Sequence, residues 1–264
     1  MKTFIEDAYG ITVRNINPYG NGQTSKIYKV ITDSESYILK SHYNEQSASN
    51  EFHCLDVLSK VNLCPKPIRS ADENIYSKHN THFYILMKFI NVKSFDKSKI
   101  NHFNLGKSIR IMHSELSSLN LNNIVDRFNE EQLMGYIKSV NTKRLIEERY
   151  LEYKNYATDS LTNIHGDLGS WNLFFDNKYI NVIDFGEAGL GDPFFDLAAV
   201  VEFLNLKNAE ITDLMYGYGH NDSKSMVNLS YMRKKWRLRG IIYLAVNNLK
   251  TEVEIRDLIK VENI

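Results

Sequence analysis

The chain has 264 residues, and its 32 lysines and arginines balance 32 aspartates and glutamates. This balance excludes the strong basic field expected of a nucleic-acid or membrane-surface protein, and the length favours one large or two modest domains. The start turns acidic too early for a signal peptide, and no apolar run approaches about eighteen residues. We therefore expect a cytoplasmic monomer with two reduced cysteines, Cys54 and Cys64, and with no nucleic-acid or membrane partner.

The first ninety residues are predicted to form strands with one helix. We predict strands over residues 11–16, 26–32, 36–40 and 83–87, from their alternating or continuous apolar character. The break at Asn17–Gly22 predicts that the first two strands form a hairpin. Phe52, Leu55 and Leu58 keep helical spacing, which predicts a helix over Ala48–Lys60.

Helical patterns dominate after Asn91. Apolar residues from Leu105 to Leu116 keep helical spacing, and a second long amphipathic segment lies between Glu130 and Tyr156. We interpret His113 in the first of these segments as a packed helix residue, because no second residue of a metal-ligand type accompanies it.

The central part of the chain carries the side chains from which we infer a chemistry. Two short apolar runs, Leu173–Phe175 and Tyr179–Ile183, predict a hairpin with Asn172 at its entrance and Asp184 at its exit. An amide oxygen and a carboxylate suit Mg²⁺, which shares its coordination shell with substrate phosphates. Asp167, which precedes this hairpin, would orient a substrate hydroxyl and accept its proton during phosphoryl transfer.

These motifs resemble a known family. His165-Gly166-Asp167 with Asn172, followed by Asp184-Phe185-Gly186, is similar to the catalytic loop and metal motif of aminoglycoside phosphotransferases and choline kinases. The sequence of the loop, His-Gly-Asp-Leu-Gly-Ser, is most similar to that of the antibiotic kinases. Gly166 occupies the position at which protein kinases usually have Arg.

The resemblance implies an α+β, protein-kinase-like fold with two lobes. A small antiparallel-sheet lobe with one helix would span residues 1–88, and a larger, mainly helical lobe would span residues 89–264. ATP or GTP would be the phosphoryl donor, with Mg²⁺ as the metal, and the acceptor would be a small molecule with a hydroxyl group.

By the same resemblance, the first lobe should bind the nucleoside triphosphate. Gly20, Gly22 and Ser25 would cover the phosphates, although the third glycine of the protein-kinase pattern is missing. Lys40 would contact the α- and β-phosphates and would be held by Glu51 of the following helix, with Glu45 as the reserve.

The end of the fourth predicted strand should bind the base. Met87 would line the back of the base pocket, and backbone groups of Lys88 and Ile90 would bind the edge of the base. Because side chains contribute little to such recognition, ATP and GTP both stay open.

Several residues of the central stretch also have structural explanations. His165 should pack and hydrogen-bond to fix its loop, and Asp192 before Pro193 should cap a helix. Asp196, by resemblance, would brace the catalytic loop. Glu187 could contact metal or substrate, or it could be a solvent-exposed residue.

The acceptor should bind among the helices after Asp196. Four acidic residues could form a wall for a cationic sugar, or they could be a solvated helix face: Glu202, Glu210, Asp213 and Asp222. Four aromatic residues could surround a quaternary ammonium, or they could pack in the core: Tyr216, Tyr218, Tyr231 and Trp236.

An aminoglycoside is the leading acceptor, which would make the protein an antibiotic-resistance kinase. Choline, ethanolamine, a sugar and a macrolide stay open. A remote alternative is a non-catalytic nucleotide- or RNA-binding protein that uses the basic run Arg233–Arg239, which we otherwise interpret as one face of a helix.

Overall fold

The computed structural model describes residues 1–20, 25–91, 100–121, 130–153, 161–169, 171–176 and 179–261. The chain divides into two compact units that are assembled from interleaved segments. Unit 1 comprises residues 1–100, 111–121 and 171–188, and unit 2 comprises residues 101–110, 122–170 and 189–264. The predicted lobe boundary after residue 88 stays a prediction. Among the described helices, none combines the length and apolar character needed to cross a membrane.

Unit 1 is built on an antiparallel sheet. Its strands are β1 (Asn15–Pro18), β2 (Ile27–Ile31), β3 (Ser36–His42), β4 (Pro67–Ile68), β5 (Ser77–His79) and β6 (His82–Lys88). The strand order is β1-β2-β3-β6-β4, and β5 also pairs with β6. Helix α2 (Glu45–Ser59) follows β3, so the predicted order of strands and helix is confirmed. β3 and α2 are longer than predicted, whereas β2 is shorter and β1 begins four residues later than predicted and includes Asn17 and Pro18.

The N-terminal helix α1 (Lys2–Tyr9) corrects the prediction of a single helix in the first ninety residues. Ile5 and Tyr9, one helical turn apart, are both buried, and they pack against core residues of the sheet. Gly10 ends the helix in the left-handed conformation, with φ 64°, and its N–H donates to the Glu6 carbonyl. The i, i+4 spacing and the glycine were the available signals, and eight residues are too few to make them prominent.

Unit 1 also contains the predicted hairpin of the central stretch. Strands β8 (Leu173–Asp176) and β9 (Tyr179–Val182) pair in antiparallel fashion, with Leu173 opposite Val182. Both of these residues are buried. The Val182 N–H donates to the Leu63 carbonyl at 2.7 Å, which attaches the hairpin to the segment after α2.

Unit 2 is mainly helical. It contains α4 (Glu130–Gly135), α5 (Val140–Tyr153), α6 (Pro193–Leu204), α7 (Asn208–Tyr218), α8 (Ser223–Val246), α9 (Glu252–Val261) and the strands β7 (Thr162–Ile164) and β10 (Gly189–Gly191). Helix α3 (His102–Leu116) begins in unit 2 and ends in unit 1. The fold class is therefore α+β, as predicted.

The predicted amphipathic segment between residues 130 and 156 is two helices rather than one. Helix α4 ends at Gly135, and the Ser139 hydroxyl accepts the Thr142 N–H at the start of α5. Ile146 of α5 and Ile242 of α8 belong to one buried apolar cluster. The sequence showed one segment because its apolar periodicity continues across the break. The structure has two helices because Ser139 caps the start of a new one.

Helices α3 and α7 come into backbone contact within unit 2. A Cβ on Gly106 would lie 1.9 Å from the Leu214 carbonyl oxygen, and a Cβ on Gly217 would lie 2.0 Å from the Phe103 carbonyl oxygen. Real Cβ atoms do not approach oxygen so closely, so each position requires glycine. The pair fixes the crossing of α3 with α7.

Candidate active site

A buried cluster of charges joins three elements of unit 1. The Lys40 ammonium on β3 lies 2.6 Å from Glu51 Oε2 on α2 and 2.7 Å from Asp184 Oδ1 after β9. The side chains of Lys40 and Glu51 are 6% and 1% exposed, whereas that of Asp184 is 49% exposed. The predicted Lys40–Glu51 ion pair is therefore present, and Asp184 shares the same ammonium.

Local sequence explains why Glu51 rather than Glu45 meets Lys40. The Asn44 side chain accepts the Ser47 N–H at 2.7 Å and caps the start of α2. From this start, Glu51 lies on the buried face of the helix, whereas Glu45 is exposed and accepts the Tyr76 hydroxyl. Glu45 is thus not the partner of the lysine.

The charges of the cluster shift each other's protonation. Burial alone would raise the pKa of the Glu51 carboxyl, but the charge of Lys40, followed by that of His42, lowers it from 4.5 to about 2. Burial opposes charging of Lys40, and the carboxylates of Glu51 and then Asp184 outweigh it, so the pKa of Lys40 lies above its ordinary value. Lys40 and Glu51 are therefore both ionised at neutral pH.

The backbone of Asp184 is strained. Its φ is 70°, in the left-handed region that non-glycine residues seldom adopt. One carboxylate oxygen is held by Lys40, and the half-exposed side chain leaves the other oxygen available for a cation. At the other end of the hairpin, Asn172 is buried, and its carbonyl accepts the Ile183 N–H at 3.1 Å.

The donor set of this hairpin fits Mg²⁺. Asn172 and Asp184 offer an amide oxygen and a carboxylate oxygen, the ligand types that this hard cation takes, and the adjoining ammonium of Lys40 suits bound phosphates. The hairpin brings both residues into unit 1.

Asp167 belongs to a loop of unit 2 that Asp196 holds. The Asp196 carboxylate is fully buried at the start of α6, and it accepts the His165 N–H at 2.8 Å and the Gly166 N–H at 2.9 Å. Gly166 has a φ of 80°, which explains glycine at this position. The buried His165 ring accepts the Asp167 N–H through Nδ1 at 3.2 Å. The predicted brace and the predicted role of His165 are confirmed, while the convergence of Asp167 on Asp184 stays a prediction.

The predicted base-binding residues lie at or just after the end of β6, and their role stays a prediction. Met87 is buried at the end of β6, but the Lys88 N–H donates to the Lys66 carbonyl at 2.9 Å. That N–H is therefore not available to a base. The Ile90 backbone makes no hydrogen bond within the described ranges.

The phosphate-covering loop is described only at its two ends. Gly20 follows β1 with a φ of 76°, and a Cβ there would meet no atom within 4 Å. Ser25 precedes β2. Gly22 lies outside the described residues, so its assignment stays a prediction.

Most of the described charges after Asp196 have partners inside unit 2, which decides between the alternatives that the sequence left open. Glu202 is 11% exposed and pairs with Arg233 and Arg237 of α8. Glu210 accepts the Lys207 N–H at 2.6 Å, and Asp222 caps α8. The acidic wall and the free basic run are therefore largely internal ion pairs and caps, with Asp213 exposed.

His42 and Ser47 are polar residues near the cluster that the sequence analysis missed. His42 Nε2 lies 3.0 Å from Glu51 Oε2, and the Ser47 hydroxyl donates to the Gly186 carbonyl at 3.0 Å. The signal was available, because His42 is two residues after Lys40 on a strand and Ser47 is four residues before Glu51 on a helix. Both spacings place side chains on one face.

Comparison with known proteins identifies the family. A LicA homolog from Metamycoplasma hominis is 25% identical over 205 residues, which cover 75% of this chain and 76% of the homolog. Choline kinase LicA from Streptococcus pneumoniae has the same fold, with a TM-score of 0.69 and 14% identity over 99% of this chain and 96% of that one. Amicoumacin kinase hAmiN, in complex with AMP-PNP, Ca²⁺ and Ami, matches with a TM-score of 0.78 and 14% identity over 98% and 91%. The model of the phosphotransferase enzyme family (APH) matches residues 15–222, and the chain belongs to this family.

Proposed function

We propose that the protein is a small-molecule O-phosphotransferase that moves the γ-phosphoryl group of a nucleoside triphosphate to an alcohol. The observation that carries this proposal is the buried Lys40–Glu51 pair, whose ammonium also holds the strained Asp184. Such a fixed cation beside a cation-binding carboxylate suits a triphosphate with its metal. Membership of the phosphotransferase enzyme family supports the same reaction.

Each role is proposed from the chemistry of the side chain and from the family resemblance of its motif. Asp167 orients the acceptor hydroxyl and takes its proton, while the acceptor oxygen bonds to the γ-phosphorus and the bond from that phosphorus to the nucleoside diphosphate breaks. Lys40 steadies the α- and β-phosphates. Asn172 and Asp184 would hold Mg²⁺, which neutralises phosphate charge when bound. Transfer is direct, with no covalent enzyme intermediate.

The nucleotide is proposed to lie against the sheet of unit 1. Gly20, Gly22 and Ser25 cover its phosphates through backbone and hydroxyl groups. Met87 lines the base pocket. Because the Lys88 N–H is already bonded, the Lys88 carbonyl and the Ile90 backbone are left to bind the edge of the base.

ATP is the proposed donor. The complex of amicoumacin kinase with AMP-PNP, whose chain shares this fold, supports an adenine nucleotide. Measuring affinity for ATP and GTP by calorimetry, in the presence of Mg²⁺, tests this choice. Tighter binding of GTP would reverse it. The cytoplasm, where such nucleotides are abundant, is the proposed location.

The proposed acceptor is a small ammonium alcohol of the choline type. The LicA homolog and the choline kinase among the similar proteins support it. The pairing of Glu202, Glu210 and Asp222 inside unit 2 weakens the case for a polycationic sugar. The 61% exposed Tyr216 beside Phe103, with ring centroids 5.9 Å apart, offers an aromatic surface to a quaternary ammonium.

An aminoglycoside is the second candidate acceptor. The amino-acid sequence of the loop that begins with His165-Gly166-Asp167 favours it. A screen of choline, ethanolamine, aminoglycosides, macrolides and simple sugars for nucleotide consumption, with mass spectrometry of the products, separates the two. One added phosphate on choline supports the first candidate, and one on an aminoglycoside supports the second. If none of the acceptors in the screen is phosphorylated, both candidates are wrong.

The role of Asp167 is tested by Asp167→Asn. Loss of the proton acceptor should lower kcat by on the order of a hundredfold or more. Nucleotide affinity should stay unchanged, because Asp167 is not among the phosphate-binding groups. Asp213→Asn, an exposed position of unit 2, is the matched control. Unchanged kcat in Asp167→Asn would refute the assignment.

A further inference from the structure

In unit 1, two side chains of strand β3 and two side chains of helix α2 form one buried polar cluster. Lys40 and His42 are two residues apart on β3 and therefore share a face of the strand. Ser47 and Glu51 are four residues apart on α2 and share a face of the helix. All four side chains meet, since Glu51 Oε2 lies 2.6 Å from Lys40 Nζ and 3.0 Å from His42 Nε2, and His42 Nδ1 lies 3.2 Å from Ser47 Oγ.

His42 is placed where it acts on Glu51. The ring is 4% exposed, and its Nε2 makes no aligned hydrogen bond within the part of the chain that the structure describes. Its contact with Glu51 is therefore electrostatic, through proximity to the carboxylate oxygen that also binds Lys40. Two partners on one carboxylate oxygen restrict it more than the lysine alone does, and His42, after Lys40, helps to lower the pKa of Glu51.

The same cluster supports the backbone that follows Asp184. The Ser47 hydroxyl donates to the Gly186 carbonyl at 3.0 Å. A Cβ on Gly186 would lie 2.8 Å from Ser47 Oγ, 3.4 Å from His42 Cε1 and 3.5 Å from Glu51 Oε2. The backbone of Gly186 is thus seated directly on the cluster, two residues after the carboxylate that Lys40 holds.

We propose that His42 is a positioning residue for phosphoryl transfer, which fixes the Glu51 carboxylate on Lys40 and, through Ser47, ties the segment after Asp184 to helix α2. This inference rests on the proposed function of the cluster in nucleotide binding. We expect His42 to affect kcat/KM for the nucleotide and not KM for the acceptor, because His42 contacts the groups that hold Lys40 and the segment after Asp184.

Kinetic measurements on His42→Leu, His42→Gln and Ser47→Ala test the proposal. In His42→Leu, kcat/KM for the nucleotide should fall about tenfold, while KM for the acceptor stays unchanged. In His42→Gln, most of this loss should be recovered, since the amide can donate to Glu51. Ser47→Ala should lower the same parameter about threefold. His53→Leu, an exposed histidine of the same helix, is the control and should behave as the wild type.

A double-mutant cycle separates positioning from a general loss of structure. In the Glu51→Gln background, His42→Leu should lower kcat/KM for the nucleotide by no more than the roughly threefold loss expected of Ser47→Ala, because the route through Glu51 is gone and only the route through Ser47 is left. A full tenfold loss in that background, or a His42→Leu variant as active as the wild type, would overturn the proposal. If His42→Leu does not fold, Ser47→Ala takes its place, and a kcat/KM for the nucleotide equal to that of the wild type in Ser47→Ala overturns the proposal.

A spectroscopic measurement keeps this inference distinct from the proposed function. The ¹⁵N chemical shift of His42 Nε2 should change in Glu51→Gln, whereas the shifts of exposed His53 should not. This result supports the contact even if the wild type phosphorylates no acceptor, in which case the proposed function alone fails. An unchanged His42 shift overturns the inference even if the wild type is an active kinase.

Discussion

The Lys40–Glu51 pair leads to a quantitative prediction for Glu51→Gln. The glutamine keeps the shape of the side chain and removes the charge, which leaves the buried ammonium with Asp184 as its charged partner. The lowering of the Glu51 pKa from 4.5 to about 2 corresponds to about 3 kcal/mol of stability at neutral pH. A similar magnitude, about 3–5 kcal/mol, follows when one partner of a buried ion pair is removed.

The pH dependence has a definite sign. Because the Glu51 carboxyl is more acidic in the folded protein, its stabilisation is complete above about pH 4.5 and is lost as the pH falls towards about 2. The difference in unfolding free energy between wild type and Glu51→Gln should therefore be about 3 kcal/mol near pH 7, and most of it should disappear near pH 3.

Urea unfolding followed by circular dichroism measures this difference at each pH. Glu45→Gln is the matched control, since Glu45 is an exposed carboxylate on the same helix. It should change the unfolding free energy by less than about 0.5 kcal/mol. A loss below about 1 kcal/mol in Glu51→Gln near pH 7, or a loss of equal size near pH 3, would refute the reasoning.

Three further substitutions test how unit 2 supports its part of the site. Gly106→Ala puts a methyl group 1.9 Å from the Leu214 carbonyl oxygen, so urea unfolding should show a loss of about 3 kcal/mol, while Gly135→Ala, with no atom within 4 Å, should be neutral. In Asp196→Asn, the side-chain NH₂ group faces one of the loop N–H groups that the carboxylate accepted, so the unfolding free energy should fall by about 2 kcal/mol. The displaced loop should also lower kcat, whereas nucleotide affinity measured by calorimetry should stay unchanged. Glu202→Gln leaves two partly buried arginines without their carboxylate, which should cost about 2 kcal/mol in urea unfolding; stability equal to the wild type would show that the pairs contribute nothing.

The parts of the fold that the sequence predicted are those with a strong local signal. The hairpin of β8 and β9 has two apolar runs around turn residues, and α2 has a clear apolar stripe after an asparagine cap. The Asp192 cap of α6, with Pro193 in the first turn, was predicted from two adjacent residues. In each case the contacts that stabilise the element lie within a few residues of each other.

The questions that the sequence left open have the opposite origin. Glu202 pairs with arginines 31 and 35 residues later, and no local pattern shows which charges meet across such a distance. The acidic stretch was therefore left as a ligand wall or a solvated helix face, and the basic stretch as a helix face or, remotely, an RNA-binding run. Packing of α6 on α8 brings Glu202 of the first stretch against Arg233 and Arg237 of the second.

The polar cluster of unit 1 shows when local spacing specifies a three-dimensional contact. Only Tyr43 and Asn44 connect β3 to α2, and the Asn44 cap fixes where the helix starts. So short a connection returns the first turns of the helix to the end of the strand, so that Ser47 and Glu51 must face Lys40 and His42. Each of the two spacings is a weak signal by itself. Together with the two-residue connection they predict the network, because so short a connection places the polar face of the strand against the polar face of the helix.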